Sequence, residues 1–280
     1  MWKVSSEMKI HFVKPIKQLS ANIHKITVFI SPDTIKYRQK ITPSPFTCLS
    51  YNHFDIPDFK VSGKILPSKS KLQITGPKTT DDIYALHNGK LNQVLIEFTP
   101  TAFYYIFNLS PSELVNATVP MSDLFPGQKP AELLNKLIIS KNYRSRVKLL
   151  QEFLVSIRGK IITPVAYIEE ALSLIDKSFG NISVYNICKR INISERQCSR
   201  KFIEIIGITP MQYIKIRQLH FIINRIHRNH FQSIKELAYD TGFYDPAHFS
   251  NSFKKLTGMS PGTFIKSDEH IALDYFSNSI

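Results

Sequence analysis

The chain has 280 residues, of which 43% are hydrophobic and 11% aromatic, enough for two folded domains with cores of their own. Its formal net charge of +14 suggests a polyanionic partner, but Met1–Thr163 carries 22 Lys/Arg against 11 Asp/Glu and Lys177–Lys266 carries 14 against 5, so charge alone does not locate the binding surface. No apolar signal segment opens the chain and no apolar run reaches the length of a membrane span, so a cytoplasmic protein without membrane contact is expected.

The first half reads as short strands. Met8–Val13, Ile23–Ile30, Phe46–Leu49, Lys60–Ile65, Lys71–Thr75 and Gln93–Phe98 are rich in β-branched and aromatic residues. Pro43, Pro45, Pro57, Gly63, Pro67, Gly76-Pro77 and Gly89 punctuate them, as in a small barrel or sandwich. Gln93–Tyr105 reads as the last strand running into a short helix. Tyr51, Phe54, Phe59, Phe98, Tyr104 and Phe107 are candidates for lining a pocket, or for plain core.

From Pro111 the period changes, with Met121–Leu124 as a short connector. Pro130–Ser140 and Tyr143–Arg158 are helical, with Leu133, Leu134, Leu137 and Ile138, then Val147, Leu150, Leu154 and Ile157, at helical spacing. These stripes suit either packing within the domain or contact with a second copy. Gly159 is expected to end the second helix, and Thr163-Pro164 to cap the next, whose apolar face is Val165, Ile168, Leu172 and Ile175. The domain boundary is placed at Gly159–Pro164, giving a β-rich domain over 1–160 and an all-helical one over 161–280.

The stretch Asn181–Ser267 contains one phrase written twice. Cys198, Phe202, Gly207, Pro210 and Tyr213 match Phe249, Phe253, Gly258, Pro261 and Phe264, each 51 positions on, while Cys188 matches Ala238 at an offset of 50. The second copy therefore holds one extra residue in its turn. Each phrase makes a helix-turn-helix. In the first, Val184, Ile187, Cys188 and Ile191 share a face, and Asn192 suits the left-handed turn, as Gly242 does in the second. Ser194 and Asp245 are predicted caps. Cys198, Phe202, Ile205 and Ile206 form a buried stripe, answered by Phe249, Phe253 and Leu256. Gly207 and Gly258 stop the helices, and Thr209-Pro210 and Ser260-Pro261 start new ones. A linker helix from Pro210 to about Arg228, carrying Ile214, Leu219, Ile222 and Ile226, joins the two copies.

With Ile234, Leu237-Ala238, Gly242-Phe243, Phe249-Ser250, Phe253-Lys254, Gly258 and Ser260-Pro261, the second copy is close to the signature of the AraC/XylS family of bacterial transcription regulators. The resemblance covers about the last 100 residues firmly; the first half resembles, loosely, a cupin-like domain with a helical tail. It implies an α+β chain that binds double-stranded DNA through two motifs in successive major grooves, with the first domain binding a small effector, forming a homodimer, or both, and RNA polymerase as a further partner of an activator. The matching base-reading positions are Arg196, Ser199 and Arg200 in the first motif. In the second they are Ala247, His248, Ser250 and Asn251, with Pro246, which cannot donate. Arginine pairs with guanine O6 and N7, and asparagine with adenine. Asn251 stands where the family often has arginine, so the first motif is expected to dominate sequence choice. Lys189, Arg190, Lys201, Lys254 and Lys255 are candidate phosphate contacts, with Gln212, Tyr213 and Lys215 near the start of the linker helix.

Two other readings compete: an effector-free regulator whose first domain only dimerises, and an enzyme with a DNA-binding appendage. The second lacks sequence support. His11, His24, His53 and His87 are scattered without ligand spacing, and the three cysteines, Cys48, Cys188 and Cys198, form no metal motif. There is no Gly-rich phosphate loop or nucleophile elbow either. No catalytic residue, metal or cofactor is expected, and free cysteines fit a reducing cytosol.

Overall fold

The structure, a computed structural model, describes residues 8–125, 128–158, 165–228 and 230–267. Eight strands precede most of the helices: β1 (Lys9–Val13), β2 (Ile23–Lys40), β3 (Cys48–Asn52), β4 (Asp58–Val61), β5 (Lys64–Leu66), β6 (Leu72–Thr75), β7 (Ile83–Phe98) and, after α1 (Ala102–Phe107) and a 3-10 turn at Pro111–Leu114, β8 (Thr118–Pro120). All pair antiparallel in one sheet of order β1-β2-β7-β3-β6-β8, with the β4–β5 hairpin joined to β7.

Three differences from the sequence reading have physical causes. β2 continues past Ile30 to Lys40, because a register shift between Ile30 and Thr34 absorbs Pro32, which cannot donate to a ladder. Lys60–Ile65 is not one strand but two, reversed at Ser62-Gly63, both in left-handed backbone as a tight hairpin requires. β7 is not the last strand, since β8 pairs with β6 across three residues.

The sheet has two unlike faces because side chains alternate. Ile26, Val28, Leu49, Tyr51, Ile74, Val94, Ile96 and Phe98 bury one face against α1 and against α4 (Tyr143–Ile157), which follows α2 (Met121–Leu124) and α3 (Gln128–Ile139). Leu133, Leu137, Val147, Leu150 and Leu154 are spent on this same core, so the helical stripes serve intradomain packing. Only the far end of α3 turns outward, with Ile139 80% exposed.

The opposite face is mixed, with Lys25, Thr27, Ser50, Gln73 and Glu97 beside Phe29 and Leu95. The first half of β7 carries the β4–β5 hairpin and pairs with the second half of β2, and together they border a cavity of about 130 Å³. Phe29, Phe46 and Phe59 line it together with Lys40, Lys78 and Glu97. Of the aromatic residues proposed from sequence, only Phe59 lies here. Tyr51 and Phe98 have the opposite parity and, with Phe107 of α1, belong to the helix-side core, Phe54 is exposed, and Tyr104 faces the C-terminal helices.

The remaining described residues form helices and the turns between them: α5 (Ala166–Lys177), α6 (Val184–Arg190), α7 (Glu195–Ile206), α8 (Pro210–His227), α9 (Ile234–Asp240), α10 (Pro246–Thr257) and α11 (Pro261–Lys266). α5, α6 and α7 close one core around Ile175, Ile187, Cys198 and Phe202, and α9, α10 and α11 another around Leu237, Phe249, Phe253 and Phe264. The expected boundary at Gly159–Pro164, with its Gly159 stop and Thr163-Pro164 cap, lies outside the described residues.

Candidate nucleic-acid interface

Each helix of the repeated motif starts and stops on its own sequence. Ser183 caps α6 and Ser194 caps α7 by accepting from backbone amides three residues on, and Ser233 does the same for α9. Asp245 accepts from both Ala247 and His248 at 3.0 Å, which holds its carboxyl below its ordinary value. The turns pass through left-handed Asn192 and Gly242, and α7 and α10 end on left-handed Gly207 and Gly258. Thr209 and Gln212 form a reciprocal capping box that opens α8. The two motifs thus share one construction, as their register predicts, and Tyr244 is the extra residue in the second turn, nearly fully exposed.

The 18 residues of α8 span about 27 Å. Its first turns, Tyr213, Ile214 and Ile216, complete the first core, and Leu219, Ile222, Ile223 and Ile226 the second. Tyr213 is buried, with its ring edge-on to Phe202, so it supports the motif and does not reach outward to a phosphate as the sequence suggested. Gln212 and Lys215 are exposed.

On the outward face of α7, Arg196 and Arg200 are exposed and Ser199 is half-buried; on α10, Ala247, His248 and Asn251 are exposed and Ser250 half-buried. Each set projects from the N-terminal half of its helix, opposite the buried stripe. Lys189, Arg190, Lys254 and Lys255 are exposed too. Lys201 is placed differently: its ammonium pairs with Glu204 at 2.9 Å, and Glu204 also accepts from Tyr104 of α1 at 3.1 Å.

That tie is part of a wider contact with the β-rich part, which sequence spacing did not disclose. Behind the first motif, Ser110 donates to the Ile203 carbonyl at 3.3 Å, and a Cβ on Gly207 would come within 2.9 Å of Pro111. Thr101 donates to Glu169 of α5 at 2.8 Å. Behind the second motif, Lys40 donates to the Thr257 carbonyl near the end of α10, with Asp81 beside Gly258. His220 of α8, buried, donates from Nε2 to the Pro43 carbonyl at 2.8 Å, and its ring lies near Phe46, which stacks on His24. Burial, with Arg217 nearby, holds His220 down at about 3. The segment 40–46 therefore has the cavity on one side and α8 and α10 on the other.

Inside the cavity, burial raises the Glu97 carboxyl well above the carboxylate range against the pull of Lys25, and lowers Lys78 to about 8. Glu97 Oε2 and Thr27 Oγ1 on this face have no hydrogen-bond partner among the described residues. Those residues contain no cluster of three or more His, Cys, Asp or Glu that could hold a metal ion, and no helix long and apolar enough to cross a membrane.

A family model described as a helix-turn-helix domain matches residues 187–267. An uncharacterised HTH-type transcriptional regulator of Escherichia coli (strain K12), YidL, is 27% identical over 198 residues, covering 68% of this chain. The HTH-type transcriptional regulator GlxA of Rhizobium meliloti (strain 1021) is 42% identical over 72 residues, 25% of this chain. The chain spans 65% of the first relative's length and 22% of the second's. Among solved structures, ToxT of Vibrio cholerae aligns over 92% of this chain and 97% of its own at 13% identity, with a TM-score of 0.46. Two motifs built alike, joined by one capped helix, and a family match that takes in nearly all of both, make the C-terminal part of this chain a double helix-turn-helix domain.

Proposed function

We propose that the protein is a sequence-specific, DNA-binding transcription regulator, with residues 161–280 binding DNA and residues 1–160 serving as the sensor or dimerisation part. The observation that carries this is the pair of exposed polar faces at the N-terminal halves of α7 and α10, each backed by a fully packed motif. Arg196, Ser199 and Arg200 read bases in one major groove; Ala247, His248, Ser250 and Asn251 meet the next, about 10 base pairs on. Lys189, Arg190, Lys254 and Lys255 neutralise phosphates. The role is binding, with no catalytic step, and it is exercised in the cytoplasm. Selection of bound sequences from random duplexes tests it: Arg200→Ala should relax preference at one position and cost about 1–3 kcal/mol there. An equal loss on every sequence would move Arg200 to the phosphate backbone.

The cavity favours control by a small effector over a first domain that only dimerises. Its wall, the segment 40–46, also carries the contacts to α8 and α10. A ligand seated against that wall changes how the second motif is held. Ligand-dependent gain in melting temperature together with changed DNA affinity supports this. A second copy of the chain has the outward end of α3, with Ile138 and Ile139, as its place of contact, and RNA polymerase is the partner an activator needs.

A further inference from the structure

One linking helix leaves two motifs free to twist, unless something else joins them. α5 packs against α8 and leaves it through Phe179 and Gly180, both in left-handed backbone at φ 52° and 76°. A phenylalanine in that conformation is strained and must be held by its surroundings. Its ring stacks on Phe221 of α8, with centroids 4.2 Å apart. A Cβ on Gly180 would sit 2.8 Å from the Gln218 amide nitrogen and 2.9 Å from the Ile214 carbonyl oxygen. Arg217 donates to Asp176 of α5 at 2.8 Å. The segment that leads into the first motif is therefore clamped to α8.

Gln218 continues the clamp to the second motif. Its Nε2 donates at 2.9 Å to the carbonyl of Thr241, the C-cap of α9, where the second turn begins. Thr241 is itself buried and bonded back through its hydroxyl to Leu237 at 2.7 Å. At the next residue, left-handed Gly242, a Cβ would come within 2.6 Å of the Asn181 side-chain amide. Asn181 lies just ahead of the first motif. So the approach to one motif touches the turn of the other, with Gln218 at the junction, and Arg225 pairs with Asp240 further along α8.

We propose that Gln218 and Asn181 form a strut that fixes the angle between the two motifs, and thereby the half-site spacing the protein accepts on DNA. Gln218 is a positioning residue in this role and touches no base. The inference rests on the two-groove reading above. Successive major-groove faces recur every ~34 Å, and each base pair inserted between half-sites also rotates the second by about a tenth of a turn. With the angle fixed, the duplex must deform to meet a wrong spacing; with it loose, the protein turns instead.

The test uses the full chain and duplexes carrying the selected half-sites at their selected spacing, one base pair closer, and one and two further apart, plus a single half-site. Gln218→Glu keeps the shape but sets a carboxylate against the Thr241 carbonyl. Asn181→Ala, at an exposed position, opens the contact with Gly242 and decides the matter if the first variant does not fold. Wild type should lose on the order of tenfold in affinity per wrong base pair of spacing, and both variants less than about threefold, with single-half-site affinity unchanged. Variants that keep the wild-type spacing profile overturn the strut and leave the two-groove reading standing. Wild type that binds every spacing no better than a single half-site overturns both.

Discussion

His220 makes the contact between α8 and the β-rich part sensitive to acid. Its imidazole is buried, and burial, with Arg217 close by, holds it at about 3. In the unfolded chain the same group titrates near 6.5. Between pH 8 and pH 5 the unfolded chain therefore takes up nearly one proton at this position, while the folded protein takes up almost none. A depressed folded value means that the stability it confers is fully present above about 6.5 and is lost as pH falls through that value towards about 3. At pH 5 the loss covers about 1.5 units at 1.36 kcal/mol each, about 2 kcal/mol, or on the order of 5 °C in melting temperature. His24 and His87, both held down at about 4, lose their contributions from about 6.5 down to about 4. The substitution His220→Gln isolates the one group, since an amide still donates to Pro43 but does not titrate. Urea unfolding at pH 8 and pH 5 should show wild type losing about 2 kcal/mol more than the variant. Parallel losses would mean that His220 is not neutral and buried in the folded protein.

Burial raises the Cys188 thiol and pushes Cys198 up to about 12, so a maleimide at pH 7.5 should label neither until urea unfolds the first motif; prompt labelling of the native protein would contradict that packing. Gly207→Ala places a side chain at φ 91° against Pro111, and should cost about 1–2 kcal/mol for the backbone alone, seen as a lower melting temperature. Lys254→Ala and Lys255→Ala should each make the salt dependence of DNA binding shallower by about 0.9 in log–log slope without altering sequence preference. Lys201→Ala should leave the slope unchanged, because its charge is already spent on Glu204.

The C-terminal half was legible because its signals are local. A cap, an apolar stripe and a left-handed stop lie within a dozen residues of one another, and the duplication checks each against its counterpart: Ser194 against Asp245, Gly207 against Gly258. The β-rich half was legible only as strands. Pro32 hid the continuation of β2, because a bulge that accommodates a proline leaves no apolar pattern. Gly63 stood as a break inside Lys60–Ile65, but the run around it is short enough to pass for one strand. Which aromatic residues face the cavity depends on strand parity once register is fixed, so Tyr51 and Phe98 could not be separated from Phe59 by residue type. The tie from Tyr104 to Glu204 joins residues 100 apart, and no pattern in either stretch points to the other.

The β-rich part grips both motifs from behind, through Pro111 and Ser110 at one and Lys40 and Asp81 at the other, while Arg196, Arg200, His248 and Asn251 stay open to solvent. Among the described residues none covers those four side chains. On the function proposed above, the β-rich part is less a sheath than the frame of a pair of callipers: it holds both jaws from behind, and the strut at Gln218 sets how far apart they stand.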